Sequence, residues 1–363
     1  MKLIFAGGGT GGHINPAISV ADYIKNKYPD AEILFIGTKR GLETKLVPQA
    51  GYDIKYIDIC GIDRKNPFNN IKVIKKLIAA NRDSERIIKD FGADAVVCTG
   101  GYVSGPVAMA AKKCKVPALI HEQNVYPGLT VKGSGRYVDY IAVSFEETVS
   151  HIKCKDKCVV VGNPVREAIL TADREEARRK LGLDKDDKFV LVFGGSLGAY
   201  KINEAMIKLI KKLDDDKIKI LFGTGERNYK VVMNEIGNAP QNVTITPYIN
   251  NMHEVMAACD VAVTRSGAIT VSELACMNKP AILIPSPNVV RNHQEQNAKE
   301  FMDGGAALMI KETDLTADRL LSGIKELCYN DEKLSEMSRN MESFAKRDAL
   351  ERICEIVEKM AKK

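Results

Sequence analysis

The sequence predicts an α/β protein made of two Rossmann-like, doubly wound domains. Apolar strand-like runs alternate with helical segments almost throughout the chain. This alternation is typical of parallel sheets with helices on both faces. An apolar strand followed by a glycine turn and a helix also occurs twice, at Lys2–His13 and at Phe189–Leu213. Its recurrence near the start of each half indicates two domains rather than one enlarged sheet.

The elements divide into two sets at the stretch Gly162–Arg166, where glycine and proline end a strand. We therefore expect domains at 1–163 and 164–345, with a charged helical region over 335–363 whose residues 346–363 pack back on the first domain. The strands predicted for the first domain are Leu3–Ala6, Ile33–Ile36, Ile54–Ile57, Ala95–Cys98, Ala118–His121, Tyr140–Val143 and Val159–Val161. Those predicted for the second are Phe189–Phe193, Ile218–Phe222, Val243–Thr246, Val261–Thr264, Ala281–Ile284 and Ala307–Ile310.

Composition narrows the class of protein. A length of 363 residues favours two domains, and a net charge of +6 is too mild to predict a nucleic-acid partner. The nine cysteines lack the paired spacing of a metal site, which predicts reduced thiols and no bound metal. No apolar run approaches the length of a membrane-spanning helix, so any membrane contact is expected to be peripheral.

One segment suits such a contact. Ile71, Ile74, Leu77 and Ile78 share a helical face that is flanked by Lys72, Lys75 and Lys76. The face either packs into the core, as amphipathic helices usually do, or binds an anionic membrane surface.

Two glycine turns are candidate phosphate sites. Gly194–Gly198 lies between a strand and a helix, where free N–H groups and the Ser196 hydroxyl could bind a diphosphate. The alternative is a turn whose glycines only relieve steric crowding. Gly7, Gly9 and Gly12 match the dinucleotide-binding spacing, but Thr38-Lys39-Arg40 replaces the acidic residue of NAD sites. NADP binding, with Arg40 on a 2′-phosphate, stays open.

Polar residues in the first half follow predicted strands. His13 closes the first glycine turn at a helix start and is either a neutral general base or a residue that caps the helix or packs locally. Glu122 is either a base or a ligand for substrate hydroxyls, and Asn124 suits sugar hydroxyls; a solvated loop is the alternative for both.

The second half has its own polar residues at strand ends. Glu273 could accept two ribose hydroxyls, or could form a capping box with Thr270. The amides of the polar run 292–297 suit sugar hydroxyls.

The order of these motifs resembles the family 28 glycosyltransferases of the peptidoglycan pathway. The motifs are GGGTGGH (7–13), GGYVSGP (100–106), HEQN (121–124), GNPVR (162–166), GGSLGA (194–199), RSGA (265–268) with Glu273, and His293-Gln294 with Asn297. Some members of that family have two glutamines where this chain has His293-Gln294.

The resemblance implies a GT-B fold, with the two Rossmann-like domains separated by a cleft, and inverting transfer of N-acetylglucosamine. The donor would be UDP-N-acetylglucosamine and the acceptor the 4-hydroxyl of the muramyl sugar of undecaprenyl-diphosphate-linked muramyl-pentapeptide (lipid I), giving lipid II. The protein would act without a metal or cofactor, on the cytoplasmic face of an anionic membrane. An NADP-dependent oxidoreductase and a nucleotide-binding regulator without turnover are the competing interpretations.

The resemblance also implies site residues. We favour His13 as the base and Glu122 as a residue that orients the acceptor. The implied donor contacts are Thr10, Gly11, Gly12, Asn124, Arg166, Ser196, the Ile249 backbone at uracil, Glu273 at ribose, and His293 and Gln294 at the sugar. The implied acceptor contacts are Gly8, Gly9, Gly101, Tyr102 and Ser104.

Overall fold

The chain folds into two parallel β-sheets, each in a unit of its own. The structure, a computed structural model, describes residues 1–61, 70–195 and 198–362, without the side chains of residues 70–72 and 290. One unit comprises Met1–Val165 with Lys346–Lys363, and the other comprises Arg166–Ala345. Ser196 and the side chains of Ile71 and Lys72 therefore lie outside the described residues.

The first unit contains a seven-stranded sheet. Its strands are β1 (Lys2–Gly7), β2 (Glu32–Gly37), β3 (Asp53–Tyr56), β4 (Ala95–Gly100), β5 (Ala118–Glu122), β6 (Tyr140–Val143) and β7 (Cys158–Val160). Its helices are α1 (Gly11–Lys27), α2 (Glu43–Gln49), α3 (Asn70–Phe91), α4 (Gly101–Cys114), α5 (Leu129–Ser134), α6 (Glu146–Ser150) and α16 (Ala349–Ala361).

The second unit contains a six-stranded sheet. Its strands are β8 (Lys188–Phe193), β9 (Ile218–Gly223), β10 (Val243–Thr246), β11 (Val261–Thr264), β12 (Ala281–Leu283) and β13 (Ala307–Met309). Its helices are α7 (Glu167–Leu170), α8 (Arg174–Lys180), α9 (Tyr200–Ile210), α10 (Glu226–Ile236), α11 (Met252–Ala258), α12 (Ala268–Cys276), α13 (His293–Asp303), α14 (Ala317–Cys328) and α15 (Asp331–Glu342).

Both sheets are parallel and doubly wound, which confirms the predicted fold class. The strand orders are β3-β2-β1-β4-β5-β6-β7 and β10-β9-β8-β11-β12-β13. Every predicted strand is present, with ends shifted by at most two residues. Each sheet reverses its winding direction once, between β1 and β4 and between β8 and β11. Open parallel sheets bind ligands at the carboxyl ends of the strands beside such a reversal.

The C-terminal helical region differs from the expectation of one charged stretch. It consists of α15 and α16, which residues 343–348 separate. Phe344 fixes the break, because its ring stacks on Phe301 with centroids 4.4 Å apart. The same ring covers Gly304, where an added Cβ would lie 2.5 Å from Phe344.

Helix α16 belongs to the core of the first unit. Ile353, Val357 and Met360 are buried in one apolar cluster with Leu3 and Phe5 of β1. Each such side chain contributes roughly 1.5–3 kcal/mol through burial of apolar surface. No helix within the described residues is both long and apolar enough to cross a membrane.

Candidate active site

Two glycine turns meet at the winding reversal of the first sheet. One follows β1 and the other follows β4, and these strands are neighbours. Gly101 has a φ of +76° and packs against Gly8, so that an added Cβ would lie 2.3 Å from the Gly8 oxygen. Only glycine fits such a left-handed position in close contact with another backbone. The structure thus brings together the predicted acceptor contacts Gly8 and Gly101.

His13 lies in the first turn of α1, beside both glycine turns. Its Nδ1 is 3.3 Å from the Gly8 oxygen and 3.3 Å from Thr10 Oγ1. The ring lies against Gly100, where an added Cβ would be 2.7 Å from Cδ2 and 3.0 Å from Nε2. Thr10, rather than His13, occupies the N-cap position of α1, so the interpretation of His13 as a cap is wrong.

Glu122 is buried rather than solvated. Its Oε1 accepts hydrogen bonds from the Asn124 N–H at 3.0 Å and from Asn124 Nδ2 at 3.1 Å. Its Oε2 accepts from the Gly128 N–H at 2.8 Å. Burial raises the pKa of Glu122, and these N–H groups offset part of the rise. The alternative of a solvated loop is therefore wrong, and both carboxylate oxygens hold the loop that contains Asn124.

Two other predicted acceptor contacts differ in exposure. The Ser104 hydroxyl is buried, accepts from the Gly100 N–H at 2.9 Å, and contacts the Ala6 oxygen at 3.0 Å. It supports the second glycine turn from inside. Tyr102 is 60% exposed and lies against Gly61, where an added Cβ would be 2.3 Å from the Tyr102 ring.

A second turn, in the other unit, follows β8. Gly195 and Gly198 have φ values of +87° and +74°. An added Cβ on Gly198 would lie 2.1 Å from the Thr224 oxygen, so this position requires glycine. Helix α9 then begins with Ala199 as N-cap, without a side-chain cap and without an acidic residue in its first turn. Its first N–H groups and the positive end of its dipole suit an anion.

A concave pocket of about 550 Å³ adjoins this turn. Its cationic side chains are Lys201 and Arg265. Lys201 pairs with Glu204 at 2.9 Å, and Arg265 pairs with Glu312 and donates to the Ile284 oxygen at 3.0 Å. In the sequence, Arg265 stands out only as part of the RSGA motif, and its position directly after β11 is the signal that marks it. The remaining pocket residues are Gly194, Gly195, Gly198, Ala199, Tyr200, Ser286, Asn288, Gln294 and Glu312.

Gln294 enters the pocket from the start of α13. Its Oε1 accepts from the Ser286 N–H at 2.9 Å. The chain reaches α13 through Arg291 and Asn292, which have φ values of +56° and +52°. Non-glycine residues adopt this conformation at a cost of about 1–3 kcal/mol each, and such strain concentrates at functional sites. The strained turn places His293 as the first residue of α13.

Arg166 and Glu273 form an ion pair, with Nη2 and Oε1 3.2 Å apart. Burial raises the pKa of the Glu273 carboxyl, and the nearby Arg166 charge offsets part of the rise. The capping-box interpretation is wrong, because α12 begins after Gly267 and Thr270 is not its N-cap.

Ile249 is buried, and its side chain fills the space above Gly223. Its main-chain N–H and C=O form no hydrogen bond with another described residue. Both groups are therefore available for hydrogen bonds with the edge of a nucleotide base.

Comparisons with known proteins place this geometry in one enzyme class. The family models of the glycosyltransferase family 28 N-terminal and C-terminal domains match residues 3–143 and 189–353. A MurG crystal structure from Acinetobacter baumannii superposes with a TM-score of 0.81 at 27% identity, covering 99% of both chains. A UDP-GlcNAc 2-epimerase from Neisseria meningitidis shares the fold alone, with a TM-score of 0.68 at 14% identity over 99% of this chain and 100% of that one. The chain is a family 28 glycosyltransferase with the GT-B fold.

Full-length relatives narrow the class further. The chain is 46% identical to a protein of Acetivibrio thermocellus, over 100% of this chain and 99% of the relative. It is 43% identical to one of Bacillus cytotoxicus over 100% of both. The chain belongs to their family, the UDP-N-acetylglucosamine–N-acetylmuramyl-(pentapeptide) pyrophosphoryl-undecaprenol N-acetylglucosamine transferases. Because the chain belongs to this family, the interpretations as an NADP-dependent oxidoreductase and as a nucleotide-binding regulator without turnover are wrong.

A buried polar network supports the carboxyl edge of the first sheet. His121 Nε2 donates to the Gly162 oxygen at 2.9 Å, and Nδ1 accepts from Gln123 Nε2 at 3.0 Å. Ser144 and Asn163 continue the network, with Ser144 Oγ donating to Asn163 Oδ1 at 2.8 Å. Burial lowers the pKa of His121 to about 4. The ring is neutral in the folded protein at neutral pH.

The free energy of unfolding should therefore depend on His121 in mild acid. An unfolded histidine binds a proton below about pH 6.5, whereas the folded ring resists protonation down to about pH 4. The contribution of the neutral His121 ring to the free energy of unfolding is complete above about pH 6.5. It is lost as the pH falls from about 6.5 to about 4, by about 3 kcal/mol in total. Urea titrations between pH 7.5 and 4.5 measure it. The variant His121→Gln should show a flatter dependence, and an equal slope in both proteins would contradict this assignment.

Proposed function

We propose that the chain transfers N-acetylglucosamine from UDP-N-acetylglucosamine to the 4-hydroxyl of the muramyl sugar of lipid I, producing lipid II with inversion at the anomeric carbon. The observation that carries the proposal is 46% identity, over the full chain, to a relative named as an N-acetylglucosamine transferase that acts on N-acetylmuramyl-(pentapeptide) pyrophosphoryl-undecaprenol. The site geometry supplies roles for individual residues.

The donor binds to the second unit in this proposal. The diphosphate lies at the N-terminus of α9, with the Ser196 hydroxyl and the pocket cations Lys201 and Arg265. The uracil edge pairs with the Ile249 main chain, and the ribose hydroxyls donate to Glu273, which Arg166 orients. Because Arg166 is 58% exposed while Glu273 is 10% exposed, the guanidinium can also reach the donor phosphates.

The donor sugar lies near the first turn of α13. His293 and Gln294 bind its hydroxyls, and Gln294 is already oriented through Ser286. Further donor contacts are proposed for Thr10, Gly11, Gly12 and Asn124.

The acceptor and the base belong to the first unit. We assign His13 as the general base and Glu122 as a positioning residue, since its carboxylate holds the Asn124–Gly128 loop. Tyr102 and the backbone at Gly8, Gly9 and Gly101 are proposed to contact the acceptor. Ser104 acts through Gly100 because its hydroxyl is buried.

Transfer follows as a single displacement. The 4-hydroxyl attacks the anomeric carbon of N-acetylglucosamine while the bond from that carbon to the diphosphate oxygen breaks. His13 takes the hydroxyl proton, and UDP leaves with the bonding electrons. The N–H groups of α9 and the nearby cations stabilise the charge on UDP, so this route does not require a divalent ion.

The membrane contact is proposed for the face of α3 formed by Ile74 and Ile78. These side chains are 58% and 51% exposed, so the expectation that this face packs into the core is wrong for both. Lys75 is exposed beside them, and Lys76 pairs with Asp58 at 2.9 Å. An apolar face with flanking lysines suits the anionic cytoplasmic leaflet.

One assay tests the function directly. Radiolabelled UDP-N-acetylglucosamine is incubated with a lipid I analogue, with and without EDTA. We expect a labelled disaccharide product and UDP release that requires the acceptor in both conditions. UDP release without acceptor, or no transfer by a folded protein, would reject the proposal; loss with EDTA would reject the metal-free route.

Donor affinity should depend on Glu273. Glu273→Ala is expected to weaken UDP-N-acetylglucosamine binding by about 1–3 kcal/mol, because buried ribose hydroxyls lose a charged acceptor. Isothermal calorimetry measures the effect. Glu254→Ala is the control, since Glu254 forms a comparable ion pair with Lys180 at 2.6 Å. Equal affinities of the wild type and Glu273→Ala would remove Glu273 from the site.

Turnover should depend on His13. His13→Ala is expected to reduce kcat by about 10²–10⁴-fold, the usual contribution of a positioned base. Donor affinity should hardly change, because the proposed donor contacts lie mainly in the second unit. His253→Ala, on α11, controls for loss of a histidine. If His13→Ala keeps near-normal turnover while Glu122→Gln abolishes it, Glu122 is the base and His13 the positioning residue.

Vesicle binding should depend on the lysines of α3. Replacing Lys72, Lys75 and Lys76 with glutamine should reduce binding to anionic vesicles by about 1 kcal/mol per lysine. Turnover of a soluble acceptor analogue should remain nearly intact. Replacing Lys112, Lys359 and Lys362 is the control with an equal charge change. If both triple variants lose vesicle cosedimentation to the same extent, the result contradicts a specific contact through α3.

A further inference from the structure

Glu43 is a fully buried acid in the first unit that the reaction described above does not use. It is the first residue of α2, and glycines enclose its side chain. An added Cβ would lie 2.7 Å from Oε1 if placed on Gly8, and 1.9 Å from Oε2 if placed on Gly41. On Gly37 it would lie 2.7 Å from Cγ. At Gly8, Gly37 and Gly41 the space that a side chain would need is therefore filled by the side chain of Glu43.

The carboxylate accepts hydrogen bonds from three donors. The Gly9 N–H donates to Oε2 at 2.9 Å. The Thr38 N–H and hydroxyl donate to Oε1 at 2.9 Å and 2.8 Å. No lysine, arginine or histidine within the described residues forms an ion pair with Glu43. Burial acts to raise the pKa of this carboxyl, but the hydrogen bonds outweigh it and the pKa lies below its usual value. Glu43 is therefore a buried anion at neutral pH.

One peptide group links Glu43 to His13. The peptide between Gly8 and Gly9 presents its N–H to Glu43 Oε2 and its carbonyl oxygen to His13 Nδ1, 3.3 Å away. The Gly8 carbonyl oxygen can only accept, so this contact is a hydrogen bond in the tautomer that carries the proton on Nδ1. The Thr10 hydroxyl, also 3.3 Å from Nδ1, can accept from that same proton. In a neutral ring Nε2 is then unprotonated, and Nε2 lies on the side of the ring that faces Gly100.

We propose that Glu43 is a positioning residue for the transfer reaction, which acts through the Gly8–Gly9 peptide to hold His13 in the tautomer with an unprotonated Nε2. The inference rests on the proposed role of His13 as base. A carboxylate bonded to a peptide N–H makes its carbonyl a stronger acceptor, because hydrogen bonds in a chain polarise one another. The same chain stabilises the imidazolium that forms when Nε2 takes the proton from the acceptor hydroxyl.

This arrangement revises the role expected for Gly9. Its N–H already donates to Glu43, so the proposed contact of Gly9 with the acceptor does not use this N–H. A buried negative charge directly behind the turn also opposes a phosphate there.

The wild-type tautomer gives the first test. ¹⁵N NMR of the full chain labelled at its five histidines distinguishes the two ring nitrogens, with His13 assigned by its absence in His13→Gln. We expect His13 to carry its proton on Nδ1 at a pH where the ring is neutral. A proton on Nε2, or an average of both tautomers, would overturn the proposal. This measurement needs neither turnover nor a variant of Glu43.

The second test removes the charge. In Glu43→Gln we expect the His13 proton to shift partly to Nε2 and kcat to fall roughly 10- to 100-fold, as for other residues that orient a reacting group. The donor KM should stay unchanged. Asp139→Asn is the matched control, because Asp139 accepts from the Ala118 N–H at 2.9 Å at the opposite end of β5.

The outcomes separate this inference from the proposed function. Lower stability of Glu43→Gln with an unchanged tautomer and kcat would leave Glu43 a structural residue only and would overturn the proposal. If Glu43→Gln does not fold, the wild-type spectrum decides. A wild type that shows the Nδ1 proton without acceptor-dependent UDP release would contradict the proposed function while leaving the hydrogen-bonded chain in place.

Discussion

Buried main-chain polar groups at the carboxyl edge of the first sheet are the constraint on which the site depends. Strands end there inside the protein. Each main-chain N–H or C=O that lies beyond the sheet and is buried away from water needs another hydrogen-bond partner. Glu43 supplies partners to Gly9 and Thr38, Glu122 to Asn124 and Gly128, and Ser104 to Gly100. The three loops of the first unit that begin after β1, β4 and β5 are thus fixed by buried side chains before any substrate binds.

The two β-strand, glycine-turn and helix repeats have diverged in what their turns offer. In the first unit a protein carboxylate occupies the Gly9 N–H and the turn supports His13. In the second unit the helix after the turn has no side-chain cap and adjoins a pocket that contains Lys201 and Arg265. The same local design therefore suits a base in one unit and an anion in the other. Electrostatics, rather than backbone shape, separates the two uses.

The strands and glycine turns could be predicted from the sequence because they depend on local pattern. Every strand was recognised, because continuous apolar runs bounded by glycine and proline define buried parallel strands. The glycine turn that ends at Gly198 follows from local pattern as well, whereas Gly101 followed from the family resemblance; both residues have left-handed φ values, for which glycine has few substitutes. Glu43 was missed because its partners at Gly9 and Thr38 come from other segments, and neither its spacing nor its neighbours mark it. The capping box at Thr270 failed because α12 begins earlier, at Ala268 with Gly267 as its N-cap, so that Thr270 lies inside the helix. The exposure of Ile74 and Ile78 likewise depends on which face α3 presents to α4, which periodicity alone does not determine.

The most direct test of this account is the pH dependence of kcat/KM for the lipid I analogue, since Glu122 and Glu43 are both bonded to main-chain N–H groups and His13 is the proposed base. The wild type and Glu122→Gln should both lose activity on the acidic side, where the base becomes protonated. The residual activity of His13→Gln should lack this limb. A limb that persists in His13→Gln and disappears in Glu122→Gln would contradict the account, because the base would then be the buried carboxylate.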